Sequence, residues 1–453
     1  MRKFRGAAAI GLLLVFTTAW QHPAAAQAAV AAEPAQLPHT KVLIAPVADH
    51  HVHLFSPAAA ILNSPPPLPE IKLPEELAKV LEARNATATD QKALEELYTR
   101  DAIYHRGGTR GWTQGNEAAA GWVKWTISDF PYRIVPVAIN QNETSAQIAG
   151  YFLEGKNLDE RFGTSFLSLV KGSDGKWRIA SEVYIFGQPE PEKPKTAADA
   201  VAQLDAVGTR WGAVLSNAYY FDSVRPEPLR NPYPQVKAEN DWTAEQVAQY
   251  PDRLAAFCSF NPTKHYALAE LHRCASSGRF KGLKFNFNAA QLNFRDLQEV
   301  AKVRAVMSAA NKYRLPMIIH VRPGNVYGRE EAEVFLHQLV AAAPDVPIQI
   351  AHLWGGESYS GAALQVYADA FSSGDPVTRN LYFDVSGVSG AHRNASRMKE
   401  IAARMRQIGM SRMLYGSDAP PTEAWEGFRK HVPLSEEEFR IIASNVAPYF
   451  RSR

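Results

Sequence analysis

Five residues of this 453-residue chain, far apart in sequence, share a chemistry. Asp49-His50-His51-Val52-His53 carries a His-x-His pair. His320 follows Leu315-Pro316-Met317-Ile318-Ile319, His352 follows Ile348-Gln349-Ile350-Ala351, and Asp418 follows Tyr415-Gly416-Ser417. Two histidines spaced by two point to the same side of an extended strand. Three or four imidazole and carboxylate ligands meeting at one point suit a divalent cation with one coordination position open. Each piece alone is weak: His-x-His arises by chance, a strand-end histidine is usually a satisfied core residue, and Gly-Ser-Asp is often only a turn. The order of the four pieces is what carries the metal reading. A water on such a cation ionises near neutral pH. Asp418 would accept its proton, and His352 would polarise a carbonyl or orient the water. Arg322 is placed to grip a substrate carboxylate with two N–H groups, against the plainer reading of a surface arginine. Trp354, with Gly355 and Gly356, is read as pocket lining. Asp49 either supports a ligand or simply meets solvent, and Asp384 either braces loops or takes part.

These residues need a scaffold that brings strand ends together. After residue 195, helical stretches (Ala197–Val207, Ala267–Ser277, Phe294–Tyr313, Arg329–Ala343) alternate with short apolar runs. The runs are Gly212–Leu215, Leu254–Ser259, Gly282–Phe285, Pro316–Ile319, Val346–Ile350, Leu381–Val385 and Met413–Tyr415, with Leu43–Ala48 as an eighth before the alternation begins. Eight buried strands with intervening helices predict an α/β fold, a (β/α)8 TIM barrel, whose C-terminal strand ends form one face. The barrel takes residues 40–56, as its first strand, and 195–453. Two proline-rich stretches, Pro57 to Pro74 and Gly187 to Pro194, bracket residues 75–187. That segment starts with helical spacing (Leu77, Val80, Leu81, Leu94, Leu97, Tyr98). It then turns β-rich at Ser145–Leu153, Gly163–Val170 and Trp177–Phe186, with Gly172-Ser173-Asp174-Gly175 as a hairpin turn. This predicts an inserted α+β domain after strand one.

The ligand order resembles the amidohydrolase superfamily, in its amidohydrolase-related branch, over residues 40–56 and 195–453. Matching phrases are Asp49-His50-His51-Val52-His53, Asn240-Asp241-Trp242 before Tyr250-Pro251-Asp252-Arg253, Lys281-Gly282-Leu283-Lys284, Ile350-Ala351-His352 and Tyr415-Gly416-Ser417-Asp418. The resemblance implies one divalent metal on His51, His53, His320 and Asp418, with zinc the first candidate and manganese the next. His352 then assists the chemistry, or holds a second metal in binuclear relatives. Those relatives often bridge two metals with a carboxylated lysine on strand four, where Lys284 lies, but one metal is the favoured reading. The implied activity is an exported metal-dependent hydrolase opening an amide, ester or lactone bond of a small molecule. The alternative is a metal-dependent non-oxidative decarboxylase of a small aromatic or unsaturated carboxylic acid. A third reading, an inactive barrel that binds small molecules, is opposed by the intact ligand set. The insert, through Leu97-Tyr98-Thr99-Arg100-Asp101-Ala102-Ile103-Tyr104-His105 and Gly175-Lys176-Trp177-Arg178-Ile179, resembles a nuclear transport factor 2-like (SnoaL-like) cone. Such cones enclose a pocket and often dimerise, which makes a homodimer an expectation. Tyr104, His105, Trp112 and Trp122 are pocket candidates, with core packing the better reading. An insert after strand one is expected to hang over the metal-bearing face as lid, specificity wall or dimer surface.

Composition narrows the partners. Hydrophobic residues are 46% and charged residues 21%, ordinary globular usage. Lys+Arg 49 against Asp+Glu 46 includes Arg2, Lys3 and Arg5, and removing those three leaves 46 of each sign. A neutral protein offers no broad surface for nucleic acid or anionic lipid. Residues 1–28 read as a signal peptide: basic residues 2–5, an apolar run from Ala7 to Phe16, then small residues around Ala24-Ala25-Ala26. The expectation is an exported protein, periplasmic or secreted, with no membrane attachment once the leader is removed. The two cysteines, Cys258 and Cys274, are read as two buried thiols.

Overall fold

The computed structural model describes residues 44–63, 68–86, 90–106, 112–129, 133–154, 160–186, 193–223, 228–321, 327–354, 360–389 and 394–451. The segment 1–28 and Arg322, Gly355 and Gly356 lie outside the described residues.

Eight strands form one parallel sheet: β1 (Ala48–His53), β8 (Trp211–Leu215), β9 (Leu254–Ser259), β10 (Gly282–Asn286), β11 (Met317–His320), β12 (Ile348–Ile350), β13 (Leu381–Asp384) and β14 (Met413–Leu414), in that spatial order. Two backbone hydrogen bonds draw the last strand to the first: His50 N–H to the Tyr415 carbonyl (2.9 Å) and Asp418 N–H to the His51 carbonyl (2.9 Å). The result is a TIM barrel. Its strands are short and apolar because both faces are covered, as in Leu254–Ser259, every residue of which is buried. The helices around it carry local stop and start signals. Thr196 and Asp199 cap Ala197–Val207 reciprocally, and Gly208 ends it at φ 79°, a conformation that favours glycine.

The inserted domain is a mixed six-stranded sheet of β2 (Tyr98–Arg106), β3 (Trp112–Gln114), β4 (Arg133–Gln141), β5 (Ser145–Glu154), β6 (Glu160–Lys171) and β7 (Trp177–Phe186), in the order β3-β2-β7-β6-β5-β4. Helices Glu75–Ala86, Gln91–Leu97 and Asn116–Asp129 accompany it. Leu77, Leu81 and Leu94 pack with Ile148, Leu167 and Ile179 in a core separate from the barrel's. Phe55 and Lys195 exchange backbone hydrogen bonds (3.0 and 2.9 Å), so the chain leaves the barrel and re-enters it at one point. Tyr104 is buried in this core and Trp112 is exposed. Among the described residues no helix is long and apolar enough to cross a membrane.

Four expectations need correction. The first strand is Ala48–His53, not Leu43–Ala48, so the His-x-His pair lies on the strand itself. The insert has six strands where three were read; β4 was hidden by Pro136, which an edge strand tolerates at a register shift. The helix expected over Arg329–Ala343 is α-helical only to Val334, then widens to a π turn at Phe335–Leu339. Cys258 and Cys274 are not two thiols but a disulfide. Helix Ala267–Ser277 turns Cys274 inward against β9, and the two buried Cα atoms stand 6.3 Å apart, within bridging reach.

Candidate metal centre

The parallel barrel delivers the ends of β1, β11, β12 and β14 to one face, where His51, His53 and Asp418 form one group and His320 contacts His352. His51 donates Nδ1–H to Asp384 Oδ2 (3.1 Å), and His53 donates Nδ1–H to the Leu215 carbonyl (2.9 Å). With those protons committed, both rings turn a bare Nε2 toward Asp418: His51 Nε2 is 3.6 Å and His53 Nε2 3.5 Å from Asp418 Oδ1. A tetrahedral shell with metal–ligand bonds of about 2.0–2.2 Å sets neighbouring ligand atoms roughly 3.3–3.6 Å apart. The donor set therefore fits one divalent cation in spacing and in chemistry.

Electrostatics agree. Burial lowers His53 to about 3 and His352 to about 4, and pushes His320 well below the ordinary imidazole value, so these rings are neutral at pH 7. Burial alone would raise the Asp418 carboxyl, but His51, His352, His53 and Lys284 around it hold it below the usual carboxylate range. Ionised carboxylate and neutral imidazoles are the protonation states a cation needs. Burial also lowers Lys284 on β10, to about 8; its Nζ stands 3.3 Å from His51 Nε2.

Several placements were not evident from sequence. Asp384, at the end of β13, accepts from His51 Nδ1, Gln349 Nε2 (2.7 Å), the His352 and Ser386 backbone N–H groups (2.9 and 3.2 Å) and Ser386 Oγ (2.5 Å). Its oxygens are thereby spent, and the neighbouring group of His51, His352 and Asp384 is a hydrogen-bonded brace rather than a second cation cage. Asp49 is fully buried and accepts from the His51 and Ser417 N–H groups (both 3.0 Å), tying β1 to the turn that carries Asp418; burial raises it to about 6. That settles its role as support rather than solvent contact.

Backbone conformation contributes too. His352, Leu353, Trp354 and Asp418 all have left-handed φ (57°, 49°, 66° and 48°), which costs non-glycine residues about 1–3 kcal/mol each. The His352 N–H bond to Asp384 and the Asp418 N–H bond to His51 hold those turns. Gly416 has to be small: a Cβ there would lie 2.8 Å from His51 Cβ. Trp354 sits not at the mouth but in the core, wholly buried between Phe335 and Tyr367. His320 Nδ1 meets His352 Nε2 at 2.9 Å. The contacts between strands have no spacing signature, because they join residues from 32 to 368 positions apart.

Fold and site together define a metal-binding (β/α)8 enzyme barrel carrying an inserted cone. Residues 228–444 match the sequence model of the family described as Amidohydrolase. No curated protein matches the chain. Among solved structures, 2,6-dihydroxybenzoate decarboxylase complexed with 2,6-dihydroxybenzoate is 19% identical, with a TM-score of 0.41, covering 56% of this chain and 87% of that one. The 5-carboxyvanillate decarboxylase of Novosphingobium aromaticivorans DSM 12444, complexed with manganese and 4-hydroxy-3-methoxy-5-nitrobenzoic acid, is 16% identical, with a TM-score of 0.38, covering 56% and 79%. A third, an NTF2-like protein of unknown function from Pseudomonas putida KT2440, is 12% identical, with a TM-score of 0.22, covering 26% and 90%.

Proposed function

We propose that the barrel holds one divalent cation and removes CO2 from a small carboxylic acid, the alternative rather than the leading expectation from sequence. The observation that carries this reading is Lys284. Its ammonium is buried 3.3 Å from a ligand nitrogen and shares the site with Asp418 and Asp384, and a substrate carboxylate would pair with it where a neutral amide or ester would not. The cation, when bound, would polarise and anchor such a carboxylate. His51 and His53 would hold it with Asp418, and His320 is the fourth candidate ligand. Breaking the C–C bond releases CO2 and leaves the electron pair on carbon, which a proton must reach. Lys284, whose Nζ stands beside the site, is the residue placed to supply it. The printed activities of the two decarboxylases named above are of this class, but the reading for this chain rests on the charge at Lys284.

Hydrolysis is the second reading, favoured by Asp418, a carboxylate kept ionised between His51 and His53 and suited to accept a proton from water. Product analysis separates them. With a panel of small aromatic acids and matched esters, the decarboxylase reading expects CO2 and no solvent ¹⁸O in the organic product. Solvent ¹⁸O in product without CO2 would instead establish hydrolysis. We further propose zinc as the resident metal and export of the mature chain. The Cys258–Cys274 disulfide supports an oxidising compartment, and N-terminal sequencing of the mature protein tests it: a start between residues 27 and 32 is expected, and an intact Met1 overturns it.

A further inference from the structure

Ser386 lies just past β13, is fully buried, and has one proton to give. Its Oγ is 2.5 Å from Asp384 Oδ1 and 2.8 Å from His352 Nδ1. Asp384 already accepts three backbone and side-chain N–H groups besides His51 and therefore has no proton of its own to offer. Two oxygens at 2.5 Å need a proton between them, so it comes from Ser386. The serine oxygen can then only accept at its second contact, which places the His352 proton on Nδ1. His352 Nε2 is left bare, and the 2.9 Å contact to His320 Nδ1 requires a proton on His320 Nδ1. The chain ends with His320 Nε2 unprotonated, the state in which an imidazole nitrogen can bind a cation.

We infer that Ser386 is a positioning residue that sets the tautomers of His352 and His320, and through them makes His320 Nε2 a ligand. Asp384 thus governs both sides of the centre, His51 directly and His320 through serine and histidine. The inference deepens the metal-centre reading and rests on it for its consequence, though not for the tautomers themselves. It also gives His352 a task that needs no second cation.

Two readouts test it. Long-range ¹H–¹⁵N spectra of ¹⁵N-histidine-labelled, metal-free protein at pH 7.5 report which ring nitrogen carries the proton. The wild-type chain is expected to show Nδ1–H on both His320 and His352. Ser386→Ala removes the acceptor of the His352 proton, so both rings are expected to move toward Nε2–H. Zinc affinity, by competition with a chelating dye, is expected to fall about 10–100-fold. Ser386→Thr keeps the hydroxyl and is expected to restore tautomers and affinity, an outcome a packing role alone would not give. If Ser386→Ala does not fold, Ser386→Cys, close in shape and a weak donor, takes its place with the same expectation. Wild-type tautomers and zinc affinity in the hydroxyl-free variant would overturn the inference. A wild-type protein that binds no zinc or manganese would overturn the metal reading instead, and the metal-free spectra would still judge the tautomers.

Discussion

Two regions of this molecule bury charge, and they do it in opposite ways. In the cone, Arg84 and Glu182 pair at 2.6 Å with both side chains fully buried, and Glu182 also accepts from the Tyr98 hydroxyl. That cluster faces inward: Arg84 and Tyr98 both give to the Glu182 carboxylate, and all three side chains are buried. At the barrel mouth Asp384 gathers donors in the same manner, but each histidine it fixes turns its other nitrogen toward an opening where the Asp418 side chain is 35% exposed. The structural cluster spends its opposite charges on each other. A binding centre uses completed bonds on one side to hold lone pairs ready on the other. Buried charge by itself therefore does not mark function; the direction in which unspent lone pairs face does.

The largest effect is expected in the cone. Arg84→Met leaves the Glu182 carboxylate buried without its cation, and one broken partner of a buried pair costs about 3–5 kcal/mol. Urea unfolding should register that loss, while the matched double change Arg84→Met with Glu182→Leu recovers much of it. A loss no larger than that of a surface pair would show the cluster is not sealed.

Glu239, on the barrel helix Tyr233–Ala248, accepts from Ser56 just beyond β1 and is raised by burial from 4.5 to about 7. Folding favours its protonated form. Its contribution is whole below about pH 4.5, is lost as pH rises to about 7, and is constant beyond, a change of at most about 3 kcal/mol. Glu239→Gln should flatten that part of the stability–pH curve; an unchanged slope would place the ionisation elsewhere.

At the mouth, Asp384→Asn keeps the shape but offers one acceptor where His51 and Gln349 both need it. An unmet buried donor costs about 1–3 kcal/mol, and zinc affinity should fall with it. Lost stability with unchanged affinity would mean that Asp384 braces the barrel without aiming its histidines.

The sequence made the barrel legible because apolar runs are spaced by helices, and because His51 and His53 follow the first of them and His320 and Asp418 follow two others. The helix Tyr233–Ala248 was hidden, since its inward face mixes Glu239, Asn240 and Thr243 with Val236, Ala244 and Val247. Ser386, Gln349 and the supporting role of Asp49 were hidden for another reason: a hydrogen bond between β12 and β13 leaves no periodicity in the chain. The disulfide was misread because pairing depends on which way helix Ala267–Ser277 rolls against β9, a matter of packing.

A single cation held at the barrel mouth by the β1 histidines and Asp418 can be counted. Purified protein, stripped and reloaded with zinc, should hold one equivalent per chain by elemental analysis, with His51→Ala and His53→Ala near none and His352→Ala still near one. Full occupancy in the His51 and His53 variants, or two equivalents in the wild type, would contradict it.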